Sequence, residues 1–269
     1  MLSPDLVDLL RTGGVEVDGP SDPDGAVLTV TLNQPATRNA QTPATWRALA
    51  AVGANLPSTV RVVVLKGAGP VFSSGIDLRS FTPEGVDGEK VLEQIAARDD
   101  MAAADLIASF QSAFTWWHDN DDVITVAAVS GPAVGAGFQL ALACDVRLCA
   151  NDARFAMRET SLGLVPDLAG THPLVRAVGY SRALDICVTG RWVGAEEALA
   201  LGLATAVVGN DDLDTAVADF AAAVCAAPAT SVRATKSVLR AALDQQPPDQ
   251  RYTERSVQVG LIRGLLAGR

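Results

Sequence analysis

Histidine and cysteine are scarce in this chain of 269 residues, which contains 2 of the first and 4 of the second. Two histidines, His118 and His172, cannot build a multi-histidine metal centre, and no Cys or His stands at the close spacing of a mixed zinc site. Cys144, Cys149, Cys187 and Cys225 lie in apolar surroundings without a CxxC pair, as buried free thiols of a reducing compartment do. Positive charge is also in deficit, with 21 Lys and Arg against 31 Asp and Glu and a net charge of −10. That balance argues against nucleic acid or an anionic membrane as the main partner, and any anionic ligand must find a local basic pocket. Segment 1–11 carries Asp5 and Asp8 and lacks a basic start followed by an apolar core, so a cytoplasmic location is the default expectation. One uncharged run, 123–144, reaches 22 residues, long enough to raise a membrane span. Ser130-Gly131-Pro132 divides it instead into a β-branched strand, 123–129, and a buried helix, 133–144.

Several motifs of nucleotide and ester chemistry are missing too. Gly135-Ala136-Gly137 has no third glycine three residues on, no Gly-Lys-Ser or Gly-Lys-Thr occurs as a phosphate loop requires, and no G-x-S-x-G elbow surrounds Ser73 or Ser74. What remains is an ordinary globular balance, 49% hydrophobic and 19% charged, which needs no disulfide or metal staple to fold.

Along the chain, 26–32 reads as a strand, Thr42-Pro43 as the start of a helix, and 60–65 as a strand of nearly pure β-branched residues, the kind covered on both faces. Segment 82–89 reads as a loop, 91–117 as helix, and 145–150 and 153–156 as short strands. Strand and helix alternate to about residue 208, an α/β signature. Beyond it the pattern is helical over 213–226, 230–243 and 252–266, with Pro247-Pro248 as a break. The expected organisation is a core over 1–208 and a helical, oligomer-forming region over 209–269.

Two glycine turns, Phe72-Ser73-Ser74-Gly75-Ile76-Asp77-Leu78 and Ser130-Gly131-Pro132-Ala133-Val134-Gly135-Ala136-Gly137-Phe138, each follow a buried strand. Such turns serve either structure alone or the presentation of free backbone N–H groups, and two converging donors would make an oxyanion hole. Glu159 and Asp167 stand eight residues apart in a largely apolar segment. They either pair with Arg154 and Arg158 or have raised pKa values suited to proton transfer. Phe110, Phe114, Trp116 and Trp117 recur at a spacing that serves either a core or an acyl pocket.

Several of these segments, taken together and in order, resemble the enoyl-CoA hydratase/isomerase (crotonase) family. Asn33-Gln34-Pro35-Ala36-Thr37-Arg38-Asn39-Ala40 is similar to its N-x-P-x-x-x-N-A opening, VVVLKGAGPVFSSGIDL (62–78) to its first oxyanion segment, and SGPAVGAGFQLALACD (130–145) to its second. Segment 155–170 matches the acid-base loop and 189–203 the T-G-x-x-x-x-A-x-E-A-x-x-x-G-L signature. The resemblance implies an α/β fold, a crotonase-like ββα spiral with a C-terminal helical extension, assembled as a homotrimer or dimer of trimers. It implies an acyl-CoA thioester as ligand, coenzyme A being part of the substrate, with no permanently bound cofactor and no metal. By position, the N–H groups of Ile76 and Ala136, after Gly75 and Gly135, would hold the thioester oxygen. Arg38, Ala40, Ser74, Asp77, Leu78 and Arg79 fall where the family binds substrate, the arginines supplying the local positive charge.

The departures bear on the reaction. A hydratase of this family has two glutamates, and here Glu159 matches the second while Gln139 stands at the first. Glutamine can hold a water but cannot take its proton. Asp167 resembles the acidic residue of the dienoyl-CoA isomerase branch. The expected activity is therefore double-bond migration, Glu159 removing a proton and Glu159 or Asp167 returning one. The alternatives are hydration through a water held by Gln139, and a non-catalytic acyl-CoA binder.

Overall fold

A computed structural model describes residues 4–19 and 25–267; the first three residues of the 1–11 segment lie outside them. Helix α1 (Pro4–Thr12) leads into β1 (Val15–Asp18) and β2 (Val27–Leu32). Helix α2 (Pro43–Ala54) starts where Thr42 and Thr45 exchange side-chain-to-backbone hydrogen bonds in a capping box, with Pro43 in the first turn. Strand β3 (Val62–Gly67) follows, then α3 (Val91–Ala96) and α4 (Asp100–Asp119). The single helix expected over 91–117 is thus two, because the Asp99 side chain accepts from the Ala102 N–H and starts a new helix there.

Strand β4 (Ile124–Val129) is followed by a short strand β5 (Pro132–Val134) and only then by α5 (Ala136–Ala143), so the helix expected from 133 begins three residues later. Gly135 has φ +51° and ψ −118°, a conformation outside the helix that breaks strand from helix at this point. After β6 (Val146–Ala150) and β7 (Arg154–Ala156) come α6 (Thr171–Val178), α7 (Tyr180–Thr189), β8 (Val193–Gly194), α8 (Ala195–Ala200) and β9 (Ala206–Val208). Helices α9 (Leu213–Ala226), α10 (Ala229–Ala241) and α11 (Pro247–Ala267) close the chain. Pro247-Pro248, expected as a break, lies in the first turn of α11, where the missing N–H groups cost nothing.

The large sheet has the order β1-β2-β3-β4-β6-β9, parallel except for β1. A smaller sheet, β5-β7-β8, is extended by single bridges between Ser73 and Ala133 and between Gln41 and Ile76. Each turn of the spiral thus gives one strand to the large sheet and one short extended piece to the small one, where the glycine turns lie. The β3 run is buried on both faces as its composition requires. Val63 and Leu65 join the main core with Leu49, Phe114 and Trp117, whereas Val62 and Val64 join a second core closed by Leu213, Val217 and Ala221 of α9.

Helix α10 is tied to the sheet by a buried charge. Lys236 Nζ donates to Asp145 Oδ2 at 2.7 Å and to the Val123 carbonyl at 2.9 Å, while Asp145 Oδ2 also accepts from the Thr125 N–H and hydroxyl. Burial pushes the Asp145 carboxyl up, but His118, Lys236 and Thr125 outweigh it and hold it below the usual range. The four cysteines are free; Cys144 and Cys149 are buried and the other two half-buried. Burial pushes the Cys149 thiol up to about 12, so it has little thiolate character. Among the described residues no single helix is long and apolar enough to cross a membrane, and the uncharged run 123–144 is a strand, a second short strand and a core helix.

Candidate active site

The two glycine turns meet. A methyl group placed on the Gly75 Cα would lie 2.6 Å from the Val134 carbonyl oxygen and 3.5 Å from the Ala136 nitrogen. Gly75, with φ +90°, therefore permits a close approach that no side chain would allow. Neither the Ile76 nor the Ala136 N–H is given a backbone acceptor among the described residues. Their directions follow from the planarity of the trans peptide, which points C=O and N–H to opposite sides. The Gly75 carbonyl accepts from the Gln41 N–H at 2.7 Å, turning the Ile76 N–H away from Gln41. The Gly135 carbonyl accepts from the Gln139 N–H at 2.9 Å inside α5, leaving the Ala136 N–H to point out of the helix start.

Both residues line one cavity of about 320 Å³, together with Ser74, Gly75, Leu78, Gly135, Gln139, Glu159 and Asp167. Its apolar wall is built by Trp46 of α2, Val91, Leu92 and Ile95 of the α3 region, Ile107 and Phe110 of α4, and Leu162, Leu164 and Leu168 of the loop between β7 and α6. Of the four aromatic residues at helical spacing, only Phe110 lines this wall; Phe114 and Trp117 are core, and Trp116 packs on Gly53. Trp46, whose ring lies 5.0 Å from that of Phe110, gave no comparable signal in the sequence. An adjoining open recess is lined by Arg38, Ala40, Ser74, Ile76, Asp77, Leu78 and Arg79. Asp77 holds Arg79 at 2.6 Å and cancels its charge, and the Asp77 carboxyl is correspondingly lowered by that guanidinium. Arg38 has no ion-pair partner among the described residues, so it supplies the recess with its uncompensated positive charge.

Glu159 opens a short 3-10 turn after β7, and Gly135 lets it approach: a methyl on Gly135 would sit 3.3 Å from Glu159 Oε1. That oxygen accepts from Gln139 Nε2 at 2.7 Å, and Oε2 is buried with no hydrogen-bond partner. Burial raises the Glu159 carboxyl above its usual range, outweighing the Gln139 hydrogen bond, and the charge of Asp167 adds to the rise. Asp167 stands at the exposed rim of the cavity, and partial desolvation raises it too. Gln111 of α4 donates to the Asp167 carbonyl at 2.6 Å and so fixes the loop that carries it.

Ion pairing with Arg154 and Arg158, the other reading of these carboxylates, does not occur. Both guanidinium groups instead stack on Trp192, at 4.5 and 5.6 Å from its ring centroid. Gln139 is also differently employed from a water holder. Its Oε1 accepts from the N–H groups of Leu168 and Gly170, at 2.9 and 3.2 Å, and its Nε2 faces Glu159. Two backbone donors on one side and a carboxylate on the other assign the amide orientation. The side chain is thus a clamp between α5, Glu159 and the loop that leads from Glu159 to α6.

The profile of the enoyl-CoA hydratase/isomerase family matches residues 22–264. The chain belongs to the enoyl-CoA hydratase/isomerase family. It is 32% identical over 227 residues, 80% of this chain and 78% of the relative, to the peroxisomal Delta(3,5)-Delta(2,4)-dienoyl-CoA isomerase of Arabidopsis thaliana. It is 34% identical over 243 residues, 88% of this chain and 85% of the relative, to a Mycobacterium bovis protein named as an enoyl-CoA hydratase. A Thermobifida fusca structure named as an enoyl-CoA hydratase in complex with CoA is similar at 43% identity and TM-score 0.88, covering 97% of both chains. Another from that organism, in complex with acetoacetyl-CoA, has 43% identity and TM-score 0.89 over 96% of this chain and 98% of the other. The family's crotonase fold is the ββα spiral described above, and hydratases and isomerases both stand among its members.

Proposed function

We propose that this enoyl-CoA hydratase/isomerase family member moves a double bond in an acyl-CoA thioester by carboxylate proton transfer. The feature that carries this reading is the Gln139 clamp. Both acceptor directions of its amide oxygen are taken by Leu168 and Gly170, so Gln139 has no oxygen direction left with which to hold a water for attack beside Glu159. Glu159 has a raised pKa and one oxygen without a partner in the cavity, which suits a group that takes and returns a proton.

In this reading the coenzyme A portion lies along the recess of Arg38, Ala40, Ser74 and Arg79, and the acyl chain enters the apolar cavity. The Ile76 and Ala136 N–H groups hold the thioester oxygen, which becomes negative when a carbon-bound proton leaves. Each such preorganised donor contributes about 2.7–4 kcal/mol to the transition state. Glu159 takes the proton, the electron pair spreads through the conjugated system to the oxygen, and Glu159 or Asp167 delivers a proton at a more distant carbon. The enolate collapses to the shifted alkene as that proton is added. Where Glu159 returns it the enzyme is back in its starting state; where a protonated Asp167 gives it, exchange with solvent must afterwards take the proton from Glu159 and return one to Asp167. No water is consumed in either case. The two 43%-identical structures with bound CoA and acetoacetyl-CoA support the ligand class, and the dienoyl-CoA isomerase relative supports the reaction type.

Incubation with 3-enoyl-, 3,5-dienoyl- and 2-enoyl-CoA, followed by chromatographic separation of the isomers and mass spectrometry, with a parallel run in deuterated water to read exchange, tests this. Migration products of unchanged mass support it; conversion of 2-enoyl-CoA chiefly to a product heavier by one water establishes the hydratase alternative. Binding with neither product nor solvent exchange at the acyl chain would make the protein an acyl-CoA binder.

A further inference from the structure

A buried hydrogen-bond chain behind the cavity has no part in the chemistry outlined above. Gln41 is fully buried, and it brackets Ile76 through its backbone, donating to the Gly75 carbonyl at 2.7 Å and accepting from the Asp77 N–H at 2.8 Å. Its side chain makes two further bonds. Oε1 accepts from Trp46 Nε1 at 2.9 Å, and Nε2 donates to Ser73 Oγ at 3.1 Å. An indole nitrogen can only donate, so this orientation of the amide is required. Ser73 Oγ in turn donates to the Asn39 carbonyl at 2.8 Å and accepts from the Gly75 N–H at 3.2 Å. The hydroxyl's proton and both its acceptor directions are used.

The consequence is that the two peptide planes flanking Gly75 are held from one residue. Gln41 N–H fixes the carbonyl side of the plane that carries the Ile76 N–H, and Gln41 Nε2, through Ser73, fixes the N–H of Gly75 itself. Gly75 has φ +90° and no side chain, so without these bonds its flanking planes could rotate readily. An apolar side chain could fill the same space, but it could not orient Ser73. A buried amide whose nitrogen and oxygen each have a partner, as those of Gln41 do, rigidifies its surroundings.

We infer that Gln41 is a positioning residue: its side chain, through Ser73, holds the N–H of Gly75 and so steadies the turn from which the Ile76 N–H, its own plane held by the Gln41 backbone, reaches the thioester oxygen. This rests on the oxyanion role proposed for Ile76. Gln41 touches neither substrate nor reacting atoms; it acts on how well the enolate is stabilised and leaves the recess of Arg38 and Arg79 intact. Removing an oxyanion donor outright costs about 10²–10³-fold in rate, and loosening one that stays in place should cost about tenfold.

Acetoacetyl-CoA provides the probe, because loss of its acidic C2 proton gives an enolate whose near-ultraviolet absorption differs from that of the keto form. Its enolate-to-keto ratio when bound, and its dissociation constant by calorimetry, would be measured at one pH for wild type, Gln41→Leu, Ser73→Ala and the double variant. The expected result is a fall in that ratio of about tenfold in each single variant, no further fall in the double, and CoA affinity unchanged. Ser73→Ala removes only one oxygen and carries the test if Gln41→Leu does not fold. An unchanged ratio in a folded single variant, or effects that multiply in the double, would overturn the assignment. No enolate on the wild-type protein would instead overturn the oxyanion reading beneath it, and the inference with it.

Discussion

Gln139→Glu would place a second carboxylate against Glu159 and convert the clamp into a test of its own geometry. The new carboxylate keeps the backbone bonds from Leu168 and Gly170, since both are donors, but it loses the amide hydrogen that now reaches Glu159 Oε1 at 2.7 Å. Two carboxylates in that contact have charge centres about 4 Å apart, and with an effective dielectric of about 20 their repulsion is about 4 kcal/mol. At 1.36 kcal/mol per pH unit, this raises the second ionisation of the pair by about 3 units. The pair should therefore hold one shared proton near neutrality. The assay is the pH dependence of kcat/KM for double-bond migration. The acidic limb should move up by about 3 units relative to wild type, with the plateau displaced into the alkaline range, and thermal stability should decline more steeply as pH rises. A limb at the wild-type position in a folded variant would mean that Gln139 does not contact Glu159 as described, and the argument that Gln139 is a clamp and not a water holder would fall with it.

Other consequences can be checked more simply. Lys236→Met removes the cation buried against Asp145 and leaves that carboxylate poorly compensated, which should cost about 3–5 kcal/mol; calorimetry should show Tm lower by about 10 °C. Arg38→Met should raise KM for a CoA thioester about fivefold with kcat unchanged, the scale of an exposed ion pair, because this arginine reaches only the recess. Glu159 is held above the usual carboxylate range by burial, so its folded-state pKa exceeds the unfolded one. The stability linked to its proton is present at low pH and is lost as pH rises through the folded-state value. Glu159→Gln, neutral throughout, should then unfold at a higher denaturant concentration than wild type near pH 8, the difference closing below about pH 4.

Much of this architecture was legible because local pattern and burial agree. The β-branched run of β3 is covered on both faces, and α9 occupies the residues its periodicity marks, since each segment meets an environment matching its composition. The glycine turns were legible as motifs, and the directions of the Ile76 and Ala136 N–H groups follow from where the Gly75 and Gly135 carbonyls are bound. Reading failed where long-range contacts decide. Gln41 and Trp46 lie outside any pattern of acid, base or glycine, and their role exists only because Ser73 and Phe110 come to them from distant parts of the chain. The helix expected from 133 failed because Gly135 takes a conformation that sequence alone does not reveal. Arg154 and Arg158 lie close to Glu159 in sequence, yet the aromatic face of Trp192 takes them away. Gln139 marks a departure from the hydratase pattern, but its engagement with the backbone of Leu168 and Gly170 could be read only from their placement.

The central claim is that Glu159 moves the proton. Its most direct test is single-turnover double-bond migration by wild type and Glu159→Gln, with acyl-CoA binding measured on both. The account predicts a loss of about 10²–10⁴-fold in the migration rate, the scale of general acid-base catalysis, with the dissociation constant little changed. Migration at the wild-type rate in Glu159→Gln would contradict it.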